Sequence, residues 1–281
     1  MSSPVSVTHE LIIHEHVRAS NPYQIEPEVE YRYQTPSAQA GIVTIIAIPE
    51  FEICFGHPVA LIMMPTPDTL FIEPLYLDDA LLVIDKPSGL LAVPGRGPGK
   101  QDCLSARVQA RYPDALIVHR LDMATSGLMV MARGPAAQRQ LSKAFAAREV
   151  AKRYIAIVAG RLEAPAEAWG IIDLPISVDW PRRPLRVVDP IHGKPSLTRW
   201  RVLGYDESGT NTRVELEPIT GRSHQLRLHL RELGHPILGD TLYAPPDVQG
   251  LSGRLLLHAW SLSLEHPETG APLVFERAAP F

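Results

Sequence analysis

The sequence predicts an α+β fold whose sheet is mixed and mostly antiparallel, flanked by helices and loops. Short runs of apolar or alternating residues have the length of strands, and helical periodicity is confined to two segments. The helices do not alternate regularly with the strands, which disfavours a doubly wound parallel sheet. The predicted strands are residues 81–85, 128–132, 154–158, 198–202, 212–216 and 254–258.

Two segments have the pattern of amphipathic helices. The first, 135–150, begins with a proline, which suits a first helical turn, and has apolar residues at i and i+4. The second, 223–233, begins with Ser223 as a possible cap and is followed by Gly234 as a stop signal. Leucines form its apolar face and arginines its polar face. The apolar face has Leu226, Leu230 and Leu233, and the polar face has Arg227 and Arg231.

The first 70 residues differ from the rest of the chain. Prolines interrupt any long helix there, and only residues 41–48 resemble a strand. Met63 and Met64 stand just before the segment with regular strand patterns and could mark the true translation start. We therefore expect residues 1–70 to be a poorly ordered extension or the product of a mis-assigned start, and residues 71–281 to form the functional domain.

Charge is unevenly distributed along the chain. Residues 1–74 contain two basic and nine acidic side chains, whereas the remainder has a formal charge of +3 with 20 arginines and five lysines. Guanidinium groups form forked hydrogen bonds to phosphates and stack on bases, so this composition suits RNA binding. A genome rich in arginine codons would give the same excess, so charge alone does not decide the partner.

Composition excludes several other classes of protein. The chain has 281 residues, of which 45% are hydrophobic and 21% charged, as expected for a globular protein. No apolar run reaches the roughly 20 residues of a membrane span, and no signal peptide is evident, so we expect a cytoplasmic location. Cys54 and Cys103 are too few for a zinc site or a disulfide framework, and His224 and His229 do not share a helix face. We expect neither a metal nor a cofactor.

The most informative segment is residues 119–127, with the sequence HRLDMATSG. It places one carboxylate and one guanidinium on either side of an apolar residue, in a turn that leads into a predicted buried strand. This segment resembles the active-site motif of the RluA-type pseudouridine synthases, whose HRLD-x-x-T-S-G pattern matches at every fixed position. The segments KRYIA at 152–156, GRSHQLR at 221–227 and GHPILGD at 234–240 follow in the order of that family. Four ordered motifs are hard to obtain by chance.

The resemblance begins near residue 75 and runs to the C-terminus. It implies the pseudouridine synthase fold, with an active-site cleft across the sheet. The pair Met123-Ala124, Ser223 and the segment DWPRRP at 179–184 resemble the branch that modifies both 23S rRNA and certain tRNA anticodon stem-loops. That branch generally lacks an S4 RNA-binding domain, and the acidic first segment does not resemble one. The resemblance therefore implies an isomerase of specific uridines in tRNA and 23S rRNA stem-loops, which we expect to be a monomer.

The resemblance also implies roles for particular residues. Asp122 would be the catalytic carboxylate, acting either as a nucleophile on the ribose or as a base that leads to a glycal. Arg222 would keep it ionised, and Tyr154 would stack on the uracil with its hydroxyl towards C5. Arg120 would fill the space left by the flipped nucleotide and contact phosphates. His119 and Thr125 are expected to join Arg120 in binding and flipping the RNA.

Two other functions are compatible with the residues. The first is a non-catalytic RNA-binding protein on the same scaffold, although such a protein has no need of Asp122, Tyr154 and Arg222 together. The second is a hydrolytic glycosidase that pairs Asp122 with Asp173 or Asp240. A glycosidase requires two paired acids, whereas the motifs supply one acid beside an arginine.

Overall fold

The computed structural model describes residues 14–15, 28–34, 40–46, 72–97 and 99–281. The chain divides into two compact units, Met1–Leu70 and Phe71–Phe281.

In the first unit the described residues form a three-stranded antiparallel sheet in the order β1-β2-β3. Strand β3 overlaps the predicted strand at 41–48, while β2 was not anticipated from the sequence. The expectations of poor order and of a mis-assigned start remain predictions, because the other residues of this unit lie outside the described ones. The strands are β1 (His14–Glu15), β2 (Glu28–Gln34) and β3 (Ala40–Ile46).

The second unit is built on a sheet of ten strands, in the order β4-β5-β7-β14-β8-β13-β12-β9, with β6 beside β7 and β15 beside β14. The β7–β14 pair is parallel, and the other strand pairs of this sheet are antiparallel. This confirms the predicted mixed, mostly antiparallel sheet. Its elements are β4 (Tyr76–Leu77), β5 (Leu81–Lys86), α1 (Leu104–Gln109), β6 (Ala115–Ile117), β7 (Ser126–Arg133), α2 (Gly134–Ala147), β8 (Ala151–Ala159), β9 (Gly170–Asp173), β12 (Leu197–Tyr205), β13 (Asn211–Pro218), α3 (Gln225–Glu232), α4 (Pro246–Gln249), β14 (Leu257–Glu265) and β15 (Pro272–Glu276).

A separate two-stranded hairpin, β10 (Ile176–Val178) and β11 (Arg186–Val188), joins β9 to β12. Among the residues that the structure describes, no helix is both long and apolar enough to cross a membrane.

Five of the predicted strands lie within β5, β7, β8, β12 and β13, but the prediction for 254–258 is wrong in its boundary. Strand β14 begins only at Leu257. The residues just before Leu257 lie beside the segment at 238–239 instead, and the Leu256 N–H donates to the Leu238 carbonyl. Gly239 lies so close to this segment that a Cβ atom there would be 2.0 Å from the Arg254 carbonyl oxygen. Residues 254–256 therefore contact the segment around Gly239 and are not part of strand β14.

Helix α3 begins at Gln225, and its side chain organises the turn that precedes the helix. The Gln225 Oε1 atom accepts hydrogen bonds from the Arg222 N–H and the Thr220 hydroxyl, at 3.0 and 2.7 Å. The predicted cap at Ser223 is wrong, because His224 occupies the cap position with a φ of +59° and no side-chain cap is formed. Leu226 and Leu230 pack, as predicted, into the core beneath the sheet.

The parallel pair β7–β14 positions the motif at 119–127. Gly127 has a φ of +111°, and a Cβ atom at this position would lie 2.3 Å from the Ala259 carbonyl oxygen of β14. Only glycine fits this close approach. Residue Ala259 pairs with Gly127 on one side and with Tyr154 of β8 on the other. The three adjacent strands therefore place Tyr154 level with the turn that carries Asp122.

Candidate active site

Asp122 lies on a tight turn immediately before β7. The Thr125 N–H donates to the Asp122 carbonyl at 3.1 Å, and the Gly89 N–H donates to the Met123 carbonyl at 2.9 Å. The Asp122 side chain is 19% exposed, so the carboxylate is accessible to a substrate. Backbone hydrogen bonds thus hold the turn in place and leave the carboxylate available for chemistry.

Lys86, which sequence reasoning did not identify, holds the same turn from beneath. Its side chain is completely buried, and its ammonium donates to the carbonyls of Pro87, Leu90 and Met123 at 2.8, 2.8 and 3.1 Å. Burial lowers the pKa of Lys86 to about 8, although the negative charge of Asp122 opposes this shift. The sequence signal was a lysine at the end of an otherwise buried strand.

The guanidinium group of Arg227 lies next to the carboxylate of Asp122. Its Nη1 atom lies 3.7 Å from Asp122 Oδ2, and its side chain is only 4% exposed. Nε and Nη2 form a forked pair with Asp240, at 2.8 and 2.5 Å. Burial acts to lower the pKa of Arg227, but the hydrogen bonds and charge of Asp240, together with Asp122, raise it overall. The guanidinium is therefore fixed and charged beside the carboxylate.

The prediction that Arg222 pairs with Asp122 is wrong. The Arg222 Nε atom donates to the Pro195 carbonyl at 3.3 Å, and its backbone N–H serves the turn before α3. Arg222 lies ahead of the left-handed residue at which the chain turns into the helix. Arg227 lies on the helix itself, on the side that meets Asp122. Both arginines belong to the GRSHQLR motif, and only the folded chain distinguishes them.

His224 is the second group near the carboxylate, with its Nε2 atom 3.9 Å from Asp122 Oδ1. Burial lowers the pKa of His224, and the charges of Arg227 and Arg186 act in the same direction, whereas Asp122 and Asp240 oppose it. The imidazole is therefore neutral near pH 7. Each carboxylate oxygen of Asp122 thus faces one nitrogen-bearing side chain.

Tyr154 lies close enough to Asp122 for the charge of the carboxylate to affect its pKa. Its ring packs against two clusters of the core, and burial raises its pKa, with the charge of Asp122 adding to the effect. The phenol is therefore neutral. Its hydroxyl has no hydrogen-bond partner among residues 72–97 and 99–281, which leaves it available to a substrate.

Arg120 extends from the same turn into solvent. Within the described part of the second unit it forms no hydrogen bond and no ion pair. A long cation without a protein partner, two residues from Asp122, has the freedom that a nucleotide-displacing residue needs.

His119 and Thr125 make contacts within the protein. Strand β6 ends at Ile117, and His119 Nε2 accepts the next β7 hydrogen bond, from the Val130 N–H, at 3.0 Å. The His119 ring stacks on Phe145 with a centroid separation of 4.4 Å. Thr125 is buried and serves the turn through its backbone. Both residues therefore support the loop, and RNA contact by either of them stays a prediction.

Protonation of His119 in the unfolded chain should destabilise the protein in acid. Burial, and to a smaller extent the charge of Lys152, lowers the pKa of His119 from 6.5 to about 3. Between these pH values only the unfolded chain binds the proton, so the free energy of unfolding should fall as the pH drops. Denaturant titrations at several pH values give the free energy of unfolding as a function of pH. This free energy should fall less steeply with decreasing pH in His119→Gln than in the wild type, whereas His192→Gln, at an exposed site, should match the wild type. An unaltered slope in His119→Gln would contradict this account.

Asp240 and Asp173 do not provide the second acid of a glycosidase. Asp240 is 1% exposed and accepts hydrogen bonds from Arg227 and from the N–H groups of Leu242 and Tyr243. Asp173 is exposed on β9, the edge strand of the sheet. No group of three or more His, Cys, Asp and Glu side chains within the described residues could hold a metal ion.

Comparison with known proteins identifies the family. Residues 80–232 match the model of the RNA pseudouridylate synthase family. The chain belongs to this family. It is therefore a pseudouridine synthase, an enzyme that isomerises uridine in RNA, and the glycosidase and non-catalytic alternatives are not supported.

Relatives match most of the enzyme. It is 50% identical over 207 residues to the dual-specificity RNA pseudouridine synthase RluA of Yersinia pestis, an alignment that covers 74% of this chain and 98% of the relative. Identity to the protein of the same name from Escherichia coli K12 is 49%, with 74% and 93% coverage. The solved structure of human RNA pseudouridylate synthase domain containing 1 superimposes with a TM-score of 0.63 at 28% identity, over 78% of this chain and 87% of that one. The predicted RluA-type resemblance is confirmed.

Proposed function

We propose that this enzyme modifies uridines in tRNA anticodon stem-loops and in 23S rRNA, with Asp122 as the catalytic carboxylate. The observation that carries the assignment of Asp122 is its geometry: an accessible carboxylate on a fixed turn, with Arg227 3.7 Å from one oxygen and Tyr154 alongside. The relatives whose names state dual specificity support two RNA substrates. Because both proposed substrates are cytoplasmic in bacteria, we also propose a cytoplasmic location.

The reaction breaks the bond from ribose C1′ to N1 of uracil and forms a bond from C1′ to C5. A proton leaves C5 and a proton is taken up at N1, so the isomerisation is balanced without a co-reactant. Asp122 can attack C1′ to form a covalent intermediate, or remove the neighbouring ribose proton to give a glycal. Both routes require the ionised carboxylate. The guanidinium of Arg227 supplies the positive charge that favours the ionised form.

Tyr154 acts on the base in this proposal. Its neutral ring forms an aromatic wall on which uracil stacks, and its free hydroxyl can bond to the base as it turns. The raised pKa disfavours a preformed phenolate, so Tyr154 contributes as a stacking and hydrogen-bonding group unless the substrate itself takes its proton.

Arg120→Ala should reduce turnover more than RNA affinity. The side chain is exposed and has no partner in the described part of the domain, so we expect its contribution to arise once the target nucleotide has left its stack. Single-turnover rates and binding isotherms on an isolated anticodon stem-loop should separate the two effects. Arg139→Ala, which removes an exposed arginine of α2, serves as the control. Equal losses of affinity and rate would argue for simple phosphate binding by Arg120.

The substrate assignment is tested by mapping pseudouridine in total RNA with and without the gene, followed by assays of the purified enzyme. We expect one site in tRNA and one or more in 23S rRNA to disappear with the gene and to be restored in vitro. Modification of an isolated stem-loop almost as well as of full tRNA would support recognition of the loop itself. An inert stem-loop with active full-length tRNA would contradict this mode of recognition.

A further inference from the structure

A chain of contacts connects the β10–β11 hairpin to Asp122 through Tyr243. The Tyr243 hydroxyl accepts a hydrogen bond from the Arg186 backbone N–H at 2.8 Å and lies 2.7 Å from His224 Nδ1. The other ring nitrogen of His224, Nε2, lies 3.9 Å from Asp122 Oδ1. Tyr243 is 5% exposed, so its hydroxyl has little access to water. Neither Tyr243 nor His224 has a role in the mechanism described above.

Hydrogen-bond accounting determines which nitrogen of His224 carries the proton. The Tyr243 oxygen already accepts from Arg186, and its own proton needs an acceptor, for which His224 Nδ1 is the partner in the described structure. If Nδ1 carried the proton instead, the hydroxyl proton of Tyr243 would be buried without a partner, which is unfavourable. The neutral imidazole therefore accepts at Nδ1 and has its N–H at Nε2, the atom that faces Asp122.

Tyr243 also contacts the other partner of Asp122. The Arg227 guanidinium carbon lies 5.2 Å from the centroid of the Tyr243 ring, and the Tyr243 N–H donates to Asp240, which clamps Arg227. One buried side chain thus touches both groups that face the two carboxylate oxygens. The left-handed backbone at His224 is a further sign that this geometry is held by its surroundings.

We propose that Tyr243 is a positioning residue that holds His224 as the Nε2–H tautomer directed at Asp122, with the β10–β11 hairpin fixing Tyr243 through Arg186. The proposal rests on the proposed role of Asp122. In this arrangement His224 provides a fixed N–H dipole beside the carboxylate and gives up no proton. Asp122 keeps one orientation between Arg227 and His224, as attack at one ribose atom requires. The lowered pKa of His224, which Arg227 and Arg186 favour and Asp122 and Asp240 oppose, agrees with a neutral ring.

Nitrogen-15 NMR of the free wild-type enzyme tests the tautomer without any need for activity. The His224 resonances, assigned with a His224→Gln sample, should show protonation at Nε2 and an unprotonated Nδ1 near pH 7. Tyr243→Phe should convert this pattern to a mixture of tautomers. A wild-type ring protonated at Nδ1, or a pattern unchanged in Tyr243→Phe, would overturn the proposal.

Kinetics test whether the positioning matters for the reaction. In Tyr243→Phe we expect kcat on an anticodon stem-loop to fall by about tenfold to a hundredfold, with RNA affinity unchanged. Tyr205→Phe is a matched control, because it also removes one hydroxyl, which donates to the Leu162 carbonyl on another part of the sheet. It should retain wild-type turnover. An unchanged kcat in a folded Tyr243→Phe protein, or a loss confined to RNA affinity, would refute the positioning role.

A double-mutant cycle separates action through His224 from other effects. If Tyr243 acts through His224, the double variant Tyr243→Phe/His224→Gln should be no slower than His224→Gln alone. Multiplicative losses would show that Tyr243 acts independently and would overturn the proposal. Failure of the proposed function would look different: wild-type enzyme would modify neither proposed RNA, while the tautomer measurement would still report on His224.

Discussion

Replacing Asp122 with asparagine is expected to abolish pseudouridine formation, lowering turnover by at least about a thousandfold. An amide of nearly equal size can neither attack the ribose nor accept its proton. The fold should be retained, because the turn is held through backbone atoms and the ammonium of Lys86. RNA affinity should also change little, since Asp122 contributes no favourable charge towards phosphates.

The measurement is single-turnover conversion of a stem-loop that contains the target uridine, together with RNA binding and denaturant unfolding. Asp114→Asn is the matched control, because Asp114 is an exposed carboxylate that pairs with Arg133. It should behave as wild type. Turnover of Asp122→Asn within tenfold of wild type would remove Asp122 from the chemistry.

Replacing Arg227 with alanine is expected to give the second largest loss, and to affect both stability and activity. It would leave the buried carboxylate of Asp240 without its forked partner, at a cost of about 3–5 kcal/mol in the free energy of unfolding. It would also remove the cation that faces Asp122. Arg227→Lys should retain part of the activity, because a single ammonium preserves the charge but cannot form the fork.

Arg222→Ala is the direct comparison within the same motif. Within the described residues, the hydrogen bond of this side chain is to one backbone carbonyl at 3.3 Å. Its loss should therefore change the free energy of unfolding by no more than about 1 kcal/mol and leave most of the activity. Assays of both alanine variants on one stem-loop would measure this difference. A greater loss of activity in Arg222→Ala than in Arg227→Ala would restore the partner that the motif first suggested.

The stability effect of Arg227 can be separated from its effect on Asp122. In Arg227→Met/Asp240→Asn both buried charges are removed, and the amide oxygen at residue 240 can still accept from the Leu242 and Tyr243 N–H groups, which favours a folded protein. This folded variant would still lack the cation beside Asp122 and should be as inactive as Arg227→Ala. Substantial activity in the double variant would show that Asp122 does not depend on Arg227.

The local patterns in the sequence were sufficient to predict most of the sheet and to nominate Asp122 as the catalytic carboxylate. Strands such as β5 and β7 are short apolar runs with nearby turn residues, and their character depends on neighbours in the chain. The 119–127 motif is contiguous, so its turn and the need for Gly127 are encoded in one place. The strand prediction failed near residue 254, where a contact with the distant Gly239 replaces the ladder.

The partners of Asp122 depended on tertiary contacts. Helical periodicity places Arg227 and Arg231 on the polar face of α3, yet Arg227 is buried, because Asp240 and Tyr243 cover that part of the helix. Arg222, four residues from the first buried leucine of the helix, lies before the turn at His224 and is directed elsewhere.

His119 and Lys86 illustrate the same division. The sequence places His119 next to Arg120. In the structure β6 ends at Ile117, and the His119 ring accepts the hydrogen bond of the Val130 N–H beyond the end of that strand. The sequence places a lysine at the end of β5, and three carbonyls from two separate segments make it a support for the catalytic turn. Periodicity and contiguous motifs are short-range properties, so the sequence was sufficient to identify the sheet, the family and Asp122. The pairing of Arg227 with Asp122 joins segments more than a hundred residues apart, so it exists only in the folded chain.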